Sequence, residues 1–397
     1  MVSTRFAGLD GVSLEAEKVG IALAEDGHTL AWFAGELGPA FAPGMLVSAA
    51  HFEGEANESI QAAAFGSTDD VGLAKRLDQA AEVLERSLER FIREFSVDVL
   101  VVQNALAIPM QIPLAMALVR VIETSEISVV AHHHDFGWER ERFASCAVPE
   151  IVDRCFPPTA PNVAHIVINQ DARDELRRRR GVDSLLLPNV MDFERGPVHE
   201  GDGASFRSRA GLRESDIVLL QPTRVIERKG IEHTIQLAAR LDDPAIKVVV
   251  THPGDLTPEY WKRLTDLASD LAVDLRLFAA GEDAQSLADA YAAADLACFP
   301  SLYEGFGNAL LEAFFFRRPV FVNRYSVYVR DIAPLGVQCI EIDGDVTDSA
   351  VAEVKHVLSD PASANEAVAH NFTVGLEHFS FAAVRDVYGR AFQALGL

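Results

Sequence analysis

Cysteine is scarce in this sequence. Four of the 397 residues are cysteines, Cys146, Cys155, Cys298 and Cys339, and no two of them stand in a C-x-x-C spacing. Cys298 lies within an apolar run that predicts a buried strand. We therefore interpret the four residues as reduced structural thiols, which excludes a disulfide framework and a cysteine metal centre.

Long apolar runs and positive charge are scarce as well. No stretch approaches the roughly 18 apolar residues of a membrane-spanning helix, and the start of the sequence has no signal-peptide layout. Lysines and arginines number 35 against 59 aspartates and glutamates, which gives a formal charge of −24. Because such a surface repels nucleic acid and anionic lipid, we expect a cytoplasmic protein with a small soluble partner, no nucleic acid and no membrane association.

The length of 397 residues exceeds that of one ordinary core and predicts two α/β domains. Apolar runs of strand length alternate with helical patterns along the chain, which favours doubly wound sheets. We place an N-terminal domain at residues 1–195, a C-terminal domain at 196–378 and a final helical segment at 379–397. The first boundary rests on the polar, glycine-rich stretch 196–204.

The most informative stretch runs from Pro300 to Glu312 and reads P-S-L-Y-E-G-F-G-N-A-L-L-E. The apolar residues before it predict a buried strand, and its second half predicts the start of a helix. The glycines between them allow a ligand to approach the backbone closely, and the first N–H groups of the helix suit a phosphate. The carboxylates of Glu304 and Glu312 suit ligand hydroxyls instead.

Two basic residues follow a predicted strand earlier in the C-terminal domain. The strand 217–223 leads to Arg224 and Lys229, and Gly230 opens the next helix. A guanidinium offers a planar fork of donors, whereas an ammonium is a movable point charge. The pair therefore suits the two phosphates of a leaving nucleoside diphosphate.

A histidine cluster ends the predicted strand 127–131 and reads H-H-H-D-F-G-W-E-R from His132 to Arg140. Parallel sheets bind ligands beyond the carboxyl ends of their strands, so a site is expected here. Successive side chains of an extended segment point to opposite faces, so at most His132 and His134 converge, and we expect no metal site. A structural role for His134 is the alternative. The D-x-D spelling at 343–345 is interpreted as a turn.

Glycines also stand near the start of the chain. Gly8 and Gly11 lie between a short apolar stretch, residues 2–6, and a helical pattern, an order that favours a phosphate cradle. The spacing is not the G-x-G-x-x-G of dinucleotide-binding domains, which disfavours an NAD-binding protein.

These motifs resemble those of the retaining glycosyltransferases of family 4. Glu304 and Glu312 look like the E-x7-E motif of that family, the R-x4-K-G spacing from Arg224 matches, and His134-Asp135 matches its H-D pair. The resemblance implies the GT-B fold, with two facing Rossmann-like, doubly wound α/β domains, a cleft between them and a last helix that crosses back. It also implies a retaining, metal-independent hexosyltransferase with a nucleoside diphosphate sugar as co-substrate and no cofactor.

The resemblance also assigns roles to residues of this sequence. The implied catalytic residues are His134, Arg224, Lys229 and Glu304. The implied donor-binding residues are Gly8, Gly11, Gly305, Phe306, Gly307, Asn308, Ala309, Leu310 and Glu312. Candidates on the acceptor side are Asp135, Trp138, Arg140 and Asn189, the last from P-N-V-M-D where the family has P-N-G-V-D. The first strand is shorter than is usual in the family: either the strand is short or the true start lies upstream.

Two stretches are similar to enzymes that make glycosylated glycerate compatible solutes, such as mannosylglucosylglycerate synthases: S-T-R-F-A-G-L-D-G-V-S-L-E and H-D-F-G-W-E-R. This likeness implies GDP-mannose or UDP-glucose as donor and a glycerate-type acceptor. Two alternatives stay open, a catalytically silent subunit that binds a sugar nucleotide and a sugar-nucleotide epimerase of the same fold. The donor base, the linkage and the oligomeric state are also open.

Overall fold

The computed structural model describes residues 1–8, 10–66, 70–198, 201–254, 256–279 and 284–397. Contacts divide the chain into two compact units, Met1–Pro188 with Ala382–Leu397, and Asn189–Phe381. The division lies upstream of the glycine-rich stretch 196–204, because the residues from Asn189 onward pack with the C-terminal half. For example, the Met191 N–H donates to the Phe379 carbonyl at 2.9 Å.

The first unit is a parallel sheet with helices on its faces. In chain order its elements are α1 (Gly11–Glu25), β1 (Trp32–Ala34), β2 (Gly44–Leu46), α2 (Glu55–Phe65), α3 (Leu73–Glu94), β3 (Val99–Gln103), α4 (Ile112–Thr124), β4 (Ser128–His133), α5 (Pro149–Cys155), β5 (Val163–Val167), α6 (Gln170–Arg180) and β6 (Ser184–Leu186). The strands pair as β1-β2 and β3-β4-β5-β6. Val2 bridges to Phe33 of β1 and to Val102 of β3, so the short N-terminal segment joins the two groups of strands.

The core of the first unit follows from its apolar pattern. β3 and β4 contain the apolar runs V-L-V-V and V-V-A and are buried along most of their length, as strands covered on both faces should be. α3 presents Leu73, Leu77, Leu84 and Leu88 to the core at helical spacing, and most of its charged residues lie on the opposite face. The apolar pattern of residues 70–95 predicts a helix, and α3 confirms it.

The second unit is a six-stranded parallel sheet, also covered by helices. Its elements are α7 (Gly203–Arg209), β7 (Ile217–Arg224), α8 (Ile231–Leu241), β8 (Ile246–His252), α9 (Pro258–Asp270), β9 (Asp274–Leu277), α10 (Ala284–Ala293), β10 (Leu296–Phe299), α11 (Asn308–Phe315), β11 (Val320–Asn323), β12 (Ile340–Ile342), α12 (Asp348–Ser359) and α13 (Pro361–His378). The strand order is β12-β11-β10-β7-β8-β9. This is the doubly wound order in which the direction of winding reverses between β7 and β10.

The last helix, α14 (Phe381–Ala394), groups by its contacts with the first unit. Tyr388 of α14 is fully buried, and its hydroxyl lies 3.1 Å from His132 Nδ1. The same hydroxyl accepts a hydrogen bond from Gln103 Nε2 at 3.2 Å. α14 is therefore anchored by polar contacts at the carboxyl ends of β3 and β4.

Four further expectations concern metals, membranes, thiols and the D-x-D segment. Within the described ranges, no three His, Cys, Asp or Glu side chains lie close enough to hold a metal ion. No helix in the same ranges has the length and apolar character needed to cross a bilayer. All four cysteines are free thiols. The D-x-D segment forms a turn in which Gly344 has a φ of 79°, so that prediction is confirmed.

Candidate active site

The carboxyl ends of β7 and β10 lie side by side at the reversal point of the second sheet. β7 ends at Arg224, and β10 ends immediately before the loop 300–307. Open α/β sheets bind ligands at this place, because the connections that leave the two strands diverge to opposite faces and leave a crevice. The two motifs of the C-terminal half therefore meet at one edge of one sheet.

Backbone contacts lock these two connections together. The Leu302 N–H donates to the Arg228 carbonyl at 2.8 Å. Gly230 has a φ of 60°, and a Cβ at this position would lie 2.3 Å from the carbonyl oxygen of Pro300. Only glycine tolerates both the positive φ and this close approach, so Gly230 sets the separation of the two loops.

Glu304 lies where the two connections meet, with its side chain only 8% exposed. Its Oε1 accepts a hydrogen bond from Lys229 Nζ, and its Oε2 accepts one from Arg228 Nη1 at 2.6 Å. Each oxygen of the carboxylate therefore has its own cation. Lys229 Nζ also lies 5.4 Å from the centre of the Phe299 ring, a cation–π contact.

The protonation states in this cluster follow from burial and charge. Burial by itself raises the pKa of Glu304, but the charges of Lys229 and Arg228 outweigh it, so the net pKa lies below the usual value for a glutamate. Burial lowers the pKa of Lys229, and the charges of Arg228 and Arg224 add to the lowering, whereas the charge of Glu304 opposes it.

Arg224 is the last residue of β7 and is exposed. It pairs in register with His252 of β8. The side chain of Arg224 runs along Gly254, where a Cβ would lie 3.1 Å from Arg224 Cγ. The absence of a side chain at Gly254 thus leaves room for the arginine.

The start of α11 is held by three separate contacts. Gly307 has a φ of 123°, and a Cβ there would lie 2.7 Å from the Tyr325 hydroxyl. That hydroxyl donates to the Phe306 carbonyl at 2.6 Å, while the Phe306 ring is buried against Phe379. The Asn189 side-chain amide donates to Asn308 Oδ1. Contacts within the protein therefore hold the residues around Gly307 in place.

The predicted donor-binding residues in and before α11 differ in their burial and in their hydrogen bonds. The Leu310 N–H already donates to the Gly307 carbonyl at 3.0 Å, and its side chain is buried. Ala309 is half-buried, and its carbonyl accepts a hydrogen bond from Tyr291 at 3.0 Å. Glu312 is half-buried, and its Oε2 accepts a hydrogen bond from the same hydroxyl at 3.1 Å. Glu312 is thus oriented by a buried tyrosine. Gly305 is exposed and lies in the loop before the helix.

In the first unit, His134 belongs to a network at the ends of β3 and β4. Its Nε2 lies 2.8 Å from Gln103 Oε1, and its backbone N–H donates to Asn104 Oδ1 at 2.9 Å. Burial lowers the pKa of His134, against the opposing charges of Glu15, Asp135 and Asp10. A neutral ring that donates from Nε2 keeps Nδ1 as an acceptor for a ligand hydroxyl.

The other candidates of the H-D-F-G-W-E-R stretch lie in different surroundings. Asp135 accepts hydrogen bonds from Asn104 Nδ2 at 2.6 Å and from Arg140 Nε at 3.0 Å. Trp138 stacks on Phe136 with ring centres 4.2 Å apart, and Arg179 lies over its ring. Trp138 therefore packs against α6, whereas Asp135 and Arg140 form an ion pair next to His134.

The glycines near the start of the chain surround a capped helix end. Gly8 has a φ of 71°, and α1 begins at Gly11. The Asp10 side chain accepts hydrogen bonds from the Val12 and Ser13 N–H groups, and it pairs with Arg5 at 3.2 Å. A carboxylate thus stands where the sequence predicts a phosphate. A phosphate at this helix end has to displace Asp10 or bind beside it.

Three residues of these sites were not singled out by the sequence. Arg228 directly precedes Lys229, and adjacency alone does not show that both side chains reach Glu304. Gln103 is the last residue of β3 and Asn104 follows it, so the sequence offers only polar residues at the end of an apolar strand. In the structure Asn104 has a φ of 60°, a conformation in which asparagine is enriched. Asn189, predicted on the acceptor side, lies in the second unit and contacts α11.

Comparison with known proteins defines the class. Residues 204–371 match the family model described as Glycosyl transferases group 1. Sucrose-phosphate synthase from Thermosynechococcus elongatus has the same fold, with a TM-score of 0.69 at 17% identity over 99% of this chain and 95% of that one. The fold is thus GT-B, as the sequence predicts.

Relatives that match along nearly the whole chain make the assignment narrower. The mannosylglucosylglycerate synthase of Thermotoga maritima is 32% identical in an alignment that covers 96% of each chain. The protein of the same name from Petrotoga mobilis is 29% identical in an alignment that covers 86% of each chain. The chain therefore belongs to the group 1 glycosyltransferases, and it is similar over almost its full length to mannosylglucosylglycerate synthases.

Proposed function

We propose that this protein is a retaining, metal-independent hexosyltransferase of the cytoplasm, which moves a hexose from GDP-mannose or UDP-glucose to a small glycerate-type acceptor. The observation that carries the proposal is the arrangement at the β7–β10 reversal point, where Glu304 and Lys229 meet beside the start of α11. The similarity over 96% of the chain to a mannosylglucosylglycerate synthase supports the glycerate-type acceptor.

The leaving diphosphate is stabilised by positive charge from the protein. Arg224 offers a fork of N–H donors, and Lys229 offers an ammonium at the end of a flexible stem. The N-terminal peptide dipoles of α11 point positive charge toward the same edge of the sheet. Since negative charge grows on the diphosphate as the sugar departs, preorganised donors at this edge lower the barrier of the transfer.

The two glutamates bind hydroxyl groups of the donor. Glu304 accepts from hydroxyls of the transferred sugar, and Glu312 accepts from the ribose hydroxyls. Both carboxylates are oriented by hydrogen-bond partners, Glu304 by two cations and Glu312 by the buried Tyr291. A carboxylate that is already in place loses little conformational entropy when it binds a hydroxyl.

Transfer with retention proceeds by attack on the face from which the diphosphate departs. The acceptor oxygen bonds to the anomeric carbon, the bond from that carbon to the diphosphate oxygen breaks, and a donor phosphate oxygen takes the acceptor proton. Burial lowers the pKa of His134, so its ring is neutral. The neutral ring accepts a hydrogen bond from a hydroxyl of the transferred sugar. No protein carboxylate is assigned as the nucleophile.

The direct test combines each donor with candidate acceptors. UDP-glucose and GDP-mannose are incubated with the protein in the presence and absence of glycerate or glucosylglycerate, and release of UDP or GDP is followed. We expect release from one donor only with an acceptor, an α-linked product by NMR, and no effect of EDTA. Two results would contradict the proposal: UDP or GDP is released but no hexose is transferred to an acceptor, or neither donor binds.

The alternatives give different results in the same assay. An epimerase converts the sugar nucleotide without an acceptor, and a silent binding subunit releases no diphosphate. Arg224→Ala should lower turnover by about 10²-fold or more, by analogy with other preorganised donors. Arg263→Ala is the matched control, because Arg263 is an exposed arginine of the same unit that pairs with Glu227 and covers Tyr260.

A further inference from the structure

The two cations that hold Glu304 have different duties under the proposed function. Lys229 is needed at the diphosphate, yet in this structure it is bonded to Glu304 Oε1. Arg228 is bonded to the other oxygen, Oε2. When Lys229 turns to the donor, Glu304 therefore keeps only one of its two partners.

We propose that Arg228 is a positioning residue: it holds Glu304 through Oε2 while Lys229 moves from Oε1 to the diphosphate and leaves Oε1 open for a sugar hydroxyl. This inference rests on the proposed function. It assigns to donor binding an exchange of partners at Glu304, in which the ammonium leaves and the guanidinium stays.

Several contacts restrain the position of Arg228. Its Nη1 also donates to the Tyr303 carbonyl at 3.2 Å, and its guanidinium lies over the Tyr303 ring, 5.5 Å from the ring centre. Its own carbonyl accepts from the Leu302 N–H at 2.8 Å. These contacts hold both the backbone and the side chain of Arg228 without any help from Lys229.

Lys229 is suited to move. Its charge lies at the end of a flexible four-carbon side chain. The Arg228 guanidinium, by contrast, contacts two acceptors and a ring and has few alternative positions. Among the residues that the structure describes, the ammonium contacts one carboxylate, that of Glu304, and one ring, that of Phe299. An arriving diphosphate offers it more negative charge than the carboxylate does.

A buried carboxylate needs at least one cation to stay ionised. The side chain of Glu304 is 8% exposed, and burial raises the pKa of such a group. If Lys229 left and no other charge remained, Glu304 would take up a proton at a higher pH and lose acceptor capacity toward a hydroxyl. Arg228 prevents this change because its charge lies 2.6 Å from Oε2.

The test separates binding of the diphosphate from binding of the sugar. Dissociation constants of UDP, UDP-glucose, GDP and GDP-mannose are measured by calorimetry for the native protein, Arg228→Ala, Arg228→Lys and the control Arg263→Ala. For Arg228→Ala we expect the affinity for the free nucleoside diphosphate to stay within about threefold, while turnover falls by about 10- to 100-fold, the usual effect of losing a charged hydrogen bond. Arg228→Lys should restore part of the turnover, and Arg263→Ala should match the native protein.

The pH profile of turnover is a second measurement, and it would stay unchanged if Arg228 had only a structural role. In Arg228→Ala the acidic limb of the turnover profile should shift to higher pH, because Glu304 then has no cation once Lys229 has turned away. In Arg228→Lys the limb should lie near its native position, which also keeps the test valid if the alanine variant fails to fold.

The outcomes are distinguishable from failure of the proposed function. If the native protein binds none of the four nucleotides, the proposed function itself fails. If the native protein binds and transfers but Arg228→Ala loses diphosphate affinity in proportion to turnover, Arg228 is a phosphate ligand and the positioning role is wrong. Unchanged turnover in Arg228→Ala, or a lysine variant as poor as the alanine variant with an unmoved acidic limb, also overturns it.

Discussion

The side-chain amide of Asn189 donates a hydrogen bond to Oδ1 of Asn308, the first residue of α11. Asn189 is also the first residue of the second unit and is 9% exposed. The point where the chain enters this unit is thus tied to the helix end that we assign to the donor diphosphate. A residue predicted on the acceptor side therefore contacts a donor-side helix.

The Asn189–Asn308 bond can be measured by a double-mutant cycle. Asn189→Ala and Asn308→Ala should each lower the free energy of unfolding by about 1 kcal/mol, because each leaves one amide without its partner. The double variant should lose less than the sum by about 0.5 to 1 kcal/mol. Urea unfolding of the three variants checks this, and strictly additive losses would show that the two side chains do not interact.

Gly230 should not tolerate a side chain. Gly230→Ala places a Cβ 2.3 Å from the Pro300 carbonyl at a φ of 60°, so we expect a loss of about 2 kcal/mol or more in unfolding free energy and weaker nucleotide binding. The control is Gly389→Ala in α14, where nothing lies within 4 Å of the added Cβ and stability should rise by about 0.5 to 1 kcal/mol. Thermal unfolding and calorimetry give both values. A stable, fully binding Gly230→Ala protein would contradict the close contact.

The affinity for the nucleoside diphosphate should fall at high pH. A lysine is charged below its pKa, and burial lowers the pKa of Lys229, so its charge is lost at a lower pH than that of a free lysine. Dissociation constants of UDP and GDP between pH 7 and about 10 should therefore rise as Lys229 loses its proton. In Lys229→Arg the guanidinium stays charged over this range, and the rise should disappear. An equal rise in both proteins would assign the titration to another group.

His134 should act on turnover and not on diphosphate affinity. Because it belongs to the first unit and hydrogen-bonds Gln103 at 2.8 Å, His134→Ala should lower turnover by about 10²-fold, the effect of losing one preorganised partner of the sugar. The affinity for free UDP or GDP should be unchanged. His28→Ala, an exposed histidine of the same unit, is the control. Equal activity of both variants would assign His134 the structural role that the sequence left open.

Much of the fold could be predicted because local patterns carry it. Apolar runs within residues 98–102, 217–223, 246–251 and 296–299 predict strands, and the structure has β3, β7, β8 and β10 there within one or two residues. A largely apolar strand is the pattern that parallel strands covered on both faces require. The helices α2, α4, α5, α9 and α13 were not predicted: α4, for instance, is apolar on most of its surface and has no clear helical stripe.

The candidate site was predictable as motifs but not as contacts. Arg224, Lys229, Glu304 and Glu312 were identified from their spacing, and the reversal of strand order brings the loops after β7 and β10 to one edge. The second cation on Glu304, Arg228, was missed because the direction of a side chain in a turn of three residues depends on the loop packed against it. The same applies to Asp10, whose capping of α1 changes the meaning of the first glycine loop.

By itself, the sequence determined the class of protein, the alternation of strands and helices and the short motifs that resemble a glycosyltransferase family. Each of these depends on neighbours along the chain, such as an apolar run, a glycine before a helix, or two glutamates at a fixed spacing. Only the tertiary structure decided which cation meets which oxygen of Glu304 and which unit holds Asn189. These contacts join residues 75 to 119 positions apart, and their geometry is set by how the strands pair and the loops pack, which no local pattern records.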